Sequence, residues 1–195
     1  MKKGFITEIL RSNKTVFSFK DLILLWNNID TETAKKRVSH YVKHGDLYHV
    51  RRGLYAKDKN YDKFELSTKI LTPSYISFET ILAKAGIIFQ YYSQIFVASY
   101  QSRDIICDNQ AYSFKHIKDT ILTNNAGVEN KGNYFAAMPE RAFLDVVYLY
   151  KNYYFDNLRP LDWKRVFEIL PIYDNKQMTQ RVNKYFKNFK IKEIQ

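Results

Sequence analysis

The chain has 195 residues, of which 46% are hydrophobic and 16% aromatic, enough for a packed core and too much for disorder over most of its length. Its Lys and Arg exceed its Asp and Glu by 11, which points to a polyanionic partner. The single cysteine, Cys107, excludes an intramolecular disulfide and fits a reducing compartment, and no stretch approaches the ~20 apolar residues of a membrane helix.

Met1-Lys2-Lys3 has the look of a signal-peptide start, but Glu8 and Arg11 interrupt the apolar run that should follow, so cytoplasmic residence is expected. Phe5, Ile6, Ile9 and Leu10 make a first short helical stripe. A second helix opens at Phe17-Ser18-Phe19-Lys20-Asp21-Leu22, where Ser18 and Asp21 resemble a capping box, and it runs to Asn27-Asn28 and Asp30, residues that favour a turn. From Thr31 the apolar positions Ala34, Val38, Tyr41 and Val42 recur at helical intervals. Asp30 or Thr31 is placed to cap this helix, and Gly45 to end it in the left-handed conformation. Leu47–Val50 and Gly53–Ala56 then read as two short strands with Arg51-Arg52-Gly53 at their turn.

The stretch from Lys35 to Arg52 holds Lys35, Lys36, Arg37, Lys43, Arg51 and Arg52 against the single acid Asp46. The order helix, helix, tight turn, basic helix, basic hairpin is that of a winged helix-turn-helix, whose third helix enters the DNA major groove while the hairpin touches the backbone or minor groove. In that arrangement Lys35, Lys36, Lys43, Arg51 and Arg52 neutralise phosphates, and Thr33, Lys36, Ser39 and His40 are placed for base edges. The bland alternative is a basic helix face that is merely solvated.

A boundary is expected in the polar run Lys57–Lys63, which divides the chain into a DNA-binding domain, 1–62, and a regulatory domain, 63–195. In the second part Ser77–Ala85 reads as a helix ended by Gly86. Four β-rich runs follow, 94–100, 103–107, 110–117 and 133–137, with turns that suggest an antiparallel meander for the first three, and 124–132 reads as a loop. Pro139 suits the first turn of a helix with Ala142, Phe143, Val146, Val147 and Tyr150 on its buried face. On it Arg141 and Asp145 are four apart, a pairing ordinarily worth a few tenths of a kcal/mol. A helix over 161–170 is stopped by Pro171. The last helix, 176–190, has Met178, Val182, Tyr185, Phe186 and Phe189 on its apolar side, and its charged residues are all basic: either a solvated lysine face or a second polyanion contact. The fold class is therefore α+β: a winged helix-turn-helix followed by a mixed domain with a small antiparallel sheet and C-terminal helices.

Lys20-Asp21-Leu22, Glu32–Val38, Val50–Tyr55, Tyr75–Leu82 and Met138–Asp145, in that order, resemble the AbiEi family, the transcriptional-regulator antitoxins of type IV, AbiE-type toxin–antitoxin systems. The resemblance covers roughly three quarters of the chain. It implies a bacterial protein of phage defence that represses its own operon by binding inverted repeats in duplex DNA. It also implies that the second domain counteracts a nucleotidyltransferase-like toxin without a tight complex.

Two other classes are weighed. A stand-alone regulator could use its tyrosines, among them Tyr91-Tyr92 and Tyr153-Tyr154, to line a sensing pocket or a self-association surface, although a core is their ordinary place. A metal-dependent nuclease would pair Asp104 or Asp108 with Glu129-Asn130-Lys131, but the latter sits among loop-forming residues. His44, His49 and His116 have no metal-ligand spacing with Cys107, and no nucleotide-binding or nucleophile motif is present, so no metal, no cofactor and no catalytic residue are expected.

Overall fold

The computed structural model describes residues 4–194, with side chains through Ile191, so Met1–Lys3 lie outside the described residues. The protein is mixed α+β and divides into two compact units: Met1–Thr72 with Ile106–Gln110, and Pro73–Ile105 with Ala111–Gln195.

In the first unit the order is α1 (Phe5–Arg11), β1 (Val16–Ser18), α2 (Phe19–Leu25), α3 (Thr31–His44), β2 (Tyr48–Arg51), β3 (Leu54–Ala56) and α4 (Lys63–Ile70). The expected capping box is present: Ser18 Oγ accepts from the Asp21 amide at 3.1 Å, and the Asp21 carboxylate accepts from the Ser18 amide at 2.8 Å. Asn27 and Asn28 both take φ 56°, a conformation that asparagine tolerates better than most side chains, and they turn the chain from α2 into α3. Ile9, Phe17, Leu22, Trp26, Ala34, Val38 and Leu47 form one buried cluster. Trp26 anchors it, edge-on to Phe5 and Tyr41 and donating Nε1–H to the Phe5 carbonyl at 3.0 Å. Strand β1, unforeseen in the sequence, pairs antiparallel with β3 and makes a three-stranded sheet of order β1-β3-β2. Three residues are too few to show an alternation.

The second unit contains β4 (Ser74–Ile76), α5 (Glu79–Lys84), β5 (Ile95–Ser99), most of β6 (Arg103–Cys107) and β7 (Gln110–His116), then α6 (Asp119–Leu122), β8 (Val128–Asn130) and β9 (Phe135–Ala137). Helices α7 (Pro139–Leu149) and α8 (Trp163–Ile169), a 3₁₀ turn (Leu170–Tyr173) and α9 (Lys176–Ile194) complete it. The sheet is not the small antiparallel meander expected from 94–117. It is six-stranded and mixed, of order β6-β7-β5-β4-β9-β8, with β5 parallel to β7 from Ile95↔Tyr112 to Ser99↔His116. Burial explains the arrangement. All five residues of β5 are buried, as a strand covered on both faces requires, whereas β6 exposes Arg103, Asp104 and Ile106 and takes the edge. The 124–132 segment is likewise not all loop, since Val128–Asn130 pairs antiparallel with β9. Pro171 does not stop the chain outright: it sits in the 3₁₀ turn that continues α8.

The pair Arg141 and Asp145 is the largest departure from expectation. Both side chains are fully buried, and the pair belongs to a buried hydrogen-bonded network, not a surface i,i+4 contact. Arg141 Nε donates to Asp145 Oδ1 at 3.2 Å, Nη1 to the Asn124 and Ala126 carbonyls, and Nη2 to the Ile121 carbonyl and the Tyr75 hydroxyl. The Asp145 carboxylate also accepts from Tyr75, Ser77 and Tyr173 hydroxyls at 3.0, 2.7 and 2.6 Å. Burial first, then the neighbouring carboxylate, pushes the Tyr75 and Tyr173 hydroxyls well above the usual phenol range, so both remain donors. The network ties α7 to β4, to the 121–126 segment and to the 3₁₀ turn.

Candidate nucleic-acid interface

Helix α3 is built on a short buried stripe flanked by half-buried Arg37, Tyr41 and Val42, and its opposite face is exposed. Ala34 and Val38 are buried, while Lys35, Lys36, Ser39, His40 and Lys43 are exposed and Thr33 is half-buried. Its ends are chemically marked. Asp30 caps the start by accepting from the Thr33 amide at 2.9 Å, and hydrogen bonding from the Thr33 hydroxyl first, then from its amide, holds the Asp30 carboxyl below its ordinary range. Gly45 ends it at φ 78°, and its amide returns to the Val42 carbonyl at 3.2 Å.

Thr33, Lys36 and His40 share one open depression on the helix surface with Arg37 and Tyr41. Thus three of the four residues assigned to base edges in the sequence stand together, and Ser39 is exposed on the same helix. Lys35 pairs with Glu32 at 2.8 Å, both side chains more than half exposed, a contact that solvent and salt leave nearly without energetic weight. Lys43 lies in the last turn. His44 turns back, its Nδ1 lying 2.8 Å from the His40 carbonyl oxygen, and the two imidazoles are 4.0 Å apart.

The two arginines of the hairpin differ. Arg52 is exposed in the turn, whereas Arg51 closes β2, is half-buried and has Nη1 enclosed without a hydrogen-bond partner. The register explains this: a bulge between His49 and Arg51 re-aims the last residue of the strand. Arg37, counted in the sequence only for its charge, is stacked 3.8 Å over the Phe5 ring, which commits it to packing α1 on α3. Spacing i to i+4 along α3 could not show that its partner lies on another helix.

Cys107 is buried, with Sγ 3.6 Å from the Val50 carbonyl oxygen, and burial followed by the nearby Asp108 carboxylate raises its thiol pKa. Asp108 accepts from the Tyr48 and Tyr61 hydroxyls at 3.1 and 2.9 Å. Asp104 accepts from Ser113 Oγ at 2.6 Å, and Glu129 pairs with Lys131 at 2.5 Å. Asp104 and Glu129 sit on β6 and β8, the opposite edges of the six-stranded sheet, so at about 4.8 Å per strand they are some ~24 Å apart and share no site. Among the described residues no group of three or more His, Cys, Asp or Glu is placed to hold a metal ion. Nor is any described helix long and apolar enough to cross a membrane. No protein-family model and no curated protein sequence matches the chain.

Proposed function

We propose that the chain is a DNA-binding transcriptional repressor whose first unit is a winged helix-turn-helix, with α3 as its major-groove helix and the β2–β3 hairpin as its wing. The observation that carries this reading is the outer face of α3, where Lys36, Ser39, His40 and Lys43 are exposed, Thr33 is half-buried beside them, and the ion pair of Lys35 with Glu32 is a weak surface contact. The resemblance to the AbiEi antitoxins extends the reading: the repressor autoregulates its operon at inverted repeats and opposes a nucleotidyltransferase-like toxin encoded beside it.

Phosphate neutralisation releases counterions, so affinity falls linearly with salt on a log–log scale, with a slope of about −0.9 per contacted phosphate. The double variant Lys36→Ala with Arg52→Ala, both at exposed positions, is expected to weaken binding to duplex DNA from upstream of its own gene and to flatten that slope by about two contacts. Binding measured by fluorescence anisotropy from 50 to 300 mM salt tests it, and an unchanged slope overturns the assignment of α3 and the hairpin. Co-expression with the product of the adjacent gene tests the antitoxin part: absence of growth rescue removes it and leaves the repressor.

A further inference from the structure

The second unit carries an open groove of about 690 Å³ between the 153–159 segment and α9. Phe155, Leu158 and Phe189 supply apolar lining, and Tyr154, 76% exposed, stands free at the groove. The segment is fastened to the helix, because Tyr185 donates its hydroxyl to the Tyr153 carbonyl at 2.6 Å and accepts from the Tyr153 amide at 3.4 Å. Tyr185 and Asn188 also line a second, smaller depression of about 180 Å³, whose other walls are Lys151, Asn152, Arg181 and Lys184. An aromatic groove therefore runs directly into a basic one.

Charge narrows the choice of occupant. Arg159 adds a fourth cation, and the one acid in either lining, Asp156, has its carboxylate accepting from the Phe89 amide at 2.9 Å. Along α9 every charged residue from Lys176 to Lys190 is basic. Arg181 Nη2 already donates to the Val147 carbonyl at 2.9 Å, but a hydrophobic peptide would offer nothing to Lys151, Lys184 and Arg159, and a paired duplex offers no base face to the aromatic walls. An unpaired nucleotide fits both halves: its base stacks on tyrosine or phenylalanine, Asn157 and Asn188 offer amide groups to the base edge, and the adjoining phosphate meets Lys151, Arg181 and Lys184.

We infer that this groove of the second unit binds single-stranded nucleic acid, with one unpaired base in the aromatic part and its phosphate in the basic part. The inference is independent of duplex recognition by α3, and the two fail separately. The probe is a fluorescent twelve-residue oligothymidylate titrated into the full chain, alone and in a Lys35→Ala, Lys36→Ala, Lys43→Ala, Arg52→Ala background that removes the exposed cations of α3 and the hairpin. Tyr154→Ala, at an exposed position, is expected to weaken binding about five- to a hundredfold, the range for loss of one stacked base, without moving the melting temperature. Lys184→Ala, also exposed, is expected to lower the salt slope by about 0.7, as for one single-strand phosphate contact. Both variants are expected to leave operator-duplex binding unchanged. Affinity for the oligomer that is the same in wild type, Tyr154→Ala and Lys184→Ala overturns the inference. So does binding of free thymidine monophosphate as tight as that of the oligomer, or a blunt mixed-sequence duplex that displaces the oligomer from the α3-silenced protein at equal concentration.

Discussion

All five guanidinium donors of Arg141 and both carboxylate oxygens of Asp145 are engaged inside the second unit, so neither residue tolerates a partial replacement. Lysine has no planar fork and fewer donors, and Arg141→Lys leaves carbonyls of Ile121, Asn124 or Ala126 without a partner in a dry site. The expected loss is about 3–5 kcal/mol in urea denaturation, against a few tenths had the pair been exposed, and a loss under about 1 kcal/mol would refute the network's importance. Gly127 packs against the same arginine. At φ 71°, a Cβ there would lie 2.7 Å from Ile169 Cδ1 and 2.9 Å from Arg141 Cβ, so Gly127→Ala is expected to destabilise by more than about 1 kcal/mol, read from the same denaturation curves. The i,i+4 spacing was visible in the sequence, but the burial was not: the partners at positions 75, 77, 121, 124, 126 and 173 are brought in by tertiary structure alone.

Helix ends behave differently, because their chemistry is local. Ser18 with Asp21, Asp30 and Gly45 marked the limits of α2 and α3 in the sequence, and the backbone follows them. Strands were harder. β1, β4 and β8 are three residues each, and the parallel pairing of β5 with β7 depends on which strand is covered on both faces, which no local window reports. At α2 the cap is also an ionic centre, with Lys14 and Lys69 at 3.0 and 2.9 Å from the Asp21 carboxylate. Burial alone would raise the pKa of Asp21. The hydrogen bonds from Lys69, Ser18 and Lys14 outweigh burial and hold that pKa far below the usual carboxylate range. A depressed folded pKa contributes stability that is complete above the unfolded value of about 3.9 and is lost as pH falls below it. Asp21→Asn is accordingly expected to be less stable than wild type at pH 7, with the gap closing towards pH 2 in thermal melts. A gap independent of pH would mean that the aspartate acts only through its shape.

On the scale of the molecule the net charge of +11 is spread unevenly, with an excess of seven basic residues through Lys69 and four beyond it. The first unit is also covalently discontinuous: Met1–Thr72 is completed by Ile106–Gln110, where Asp108 accepts from Tyr48 and Tyr61. A fragment ending at Thr72 lacks that carboxylate, and it is expected to melt below the full chain when followed through the tyrosines of its sheet. Tyr48→Phe with Tyr61→Phe is expected to narrow the difference, and equal melting of fragment and full chain would show that 106–110 adds nothing. The same discontinuity sets a timetable for synthesis. A nascent chain that has exposed α3 still lacks part of the unit that carries it, and that unit closes only after Gln110 has left the ribosome. A chain released before that point would carry the basic helix without its finished support.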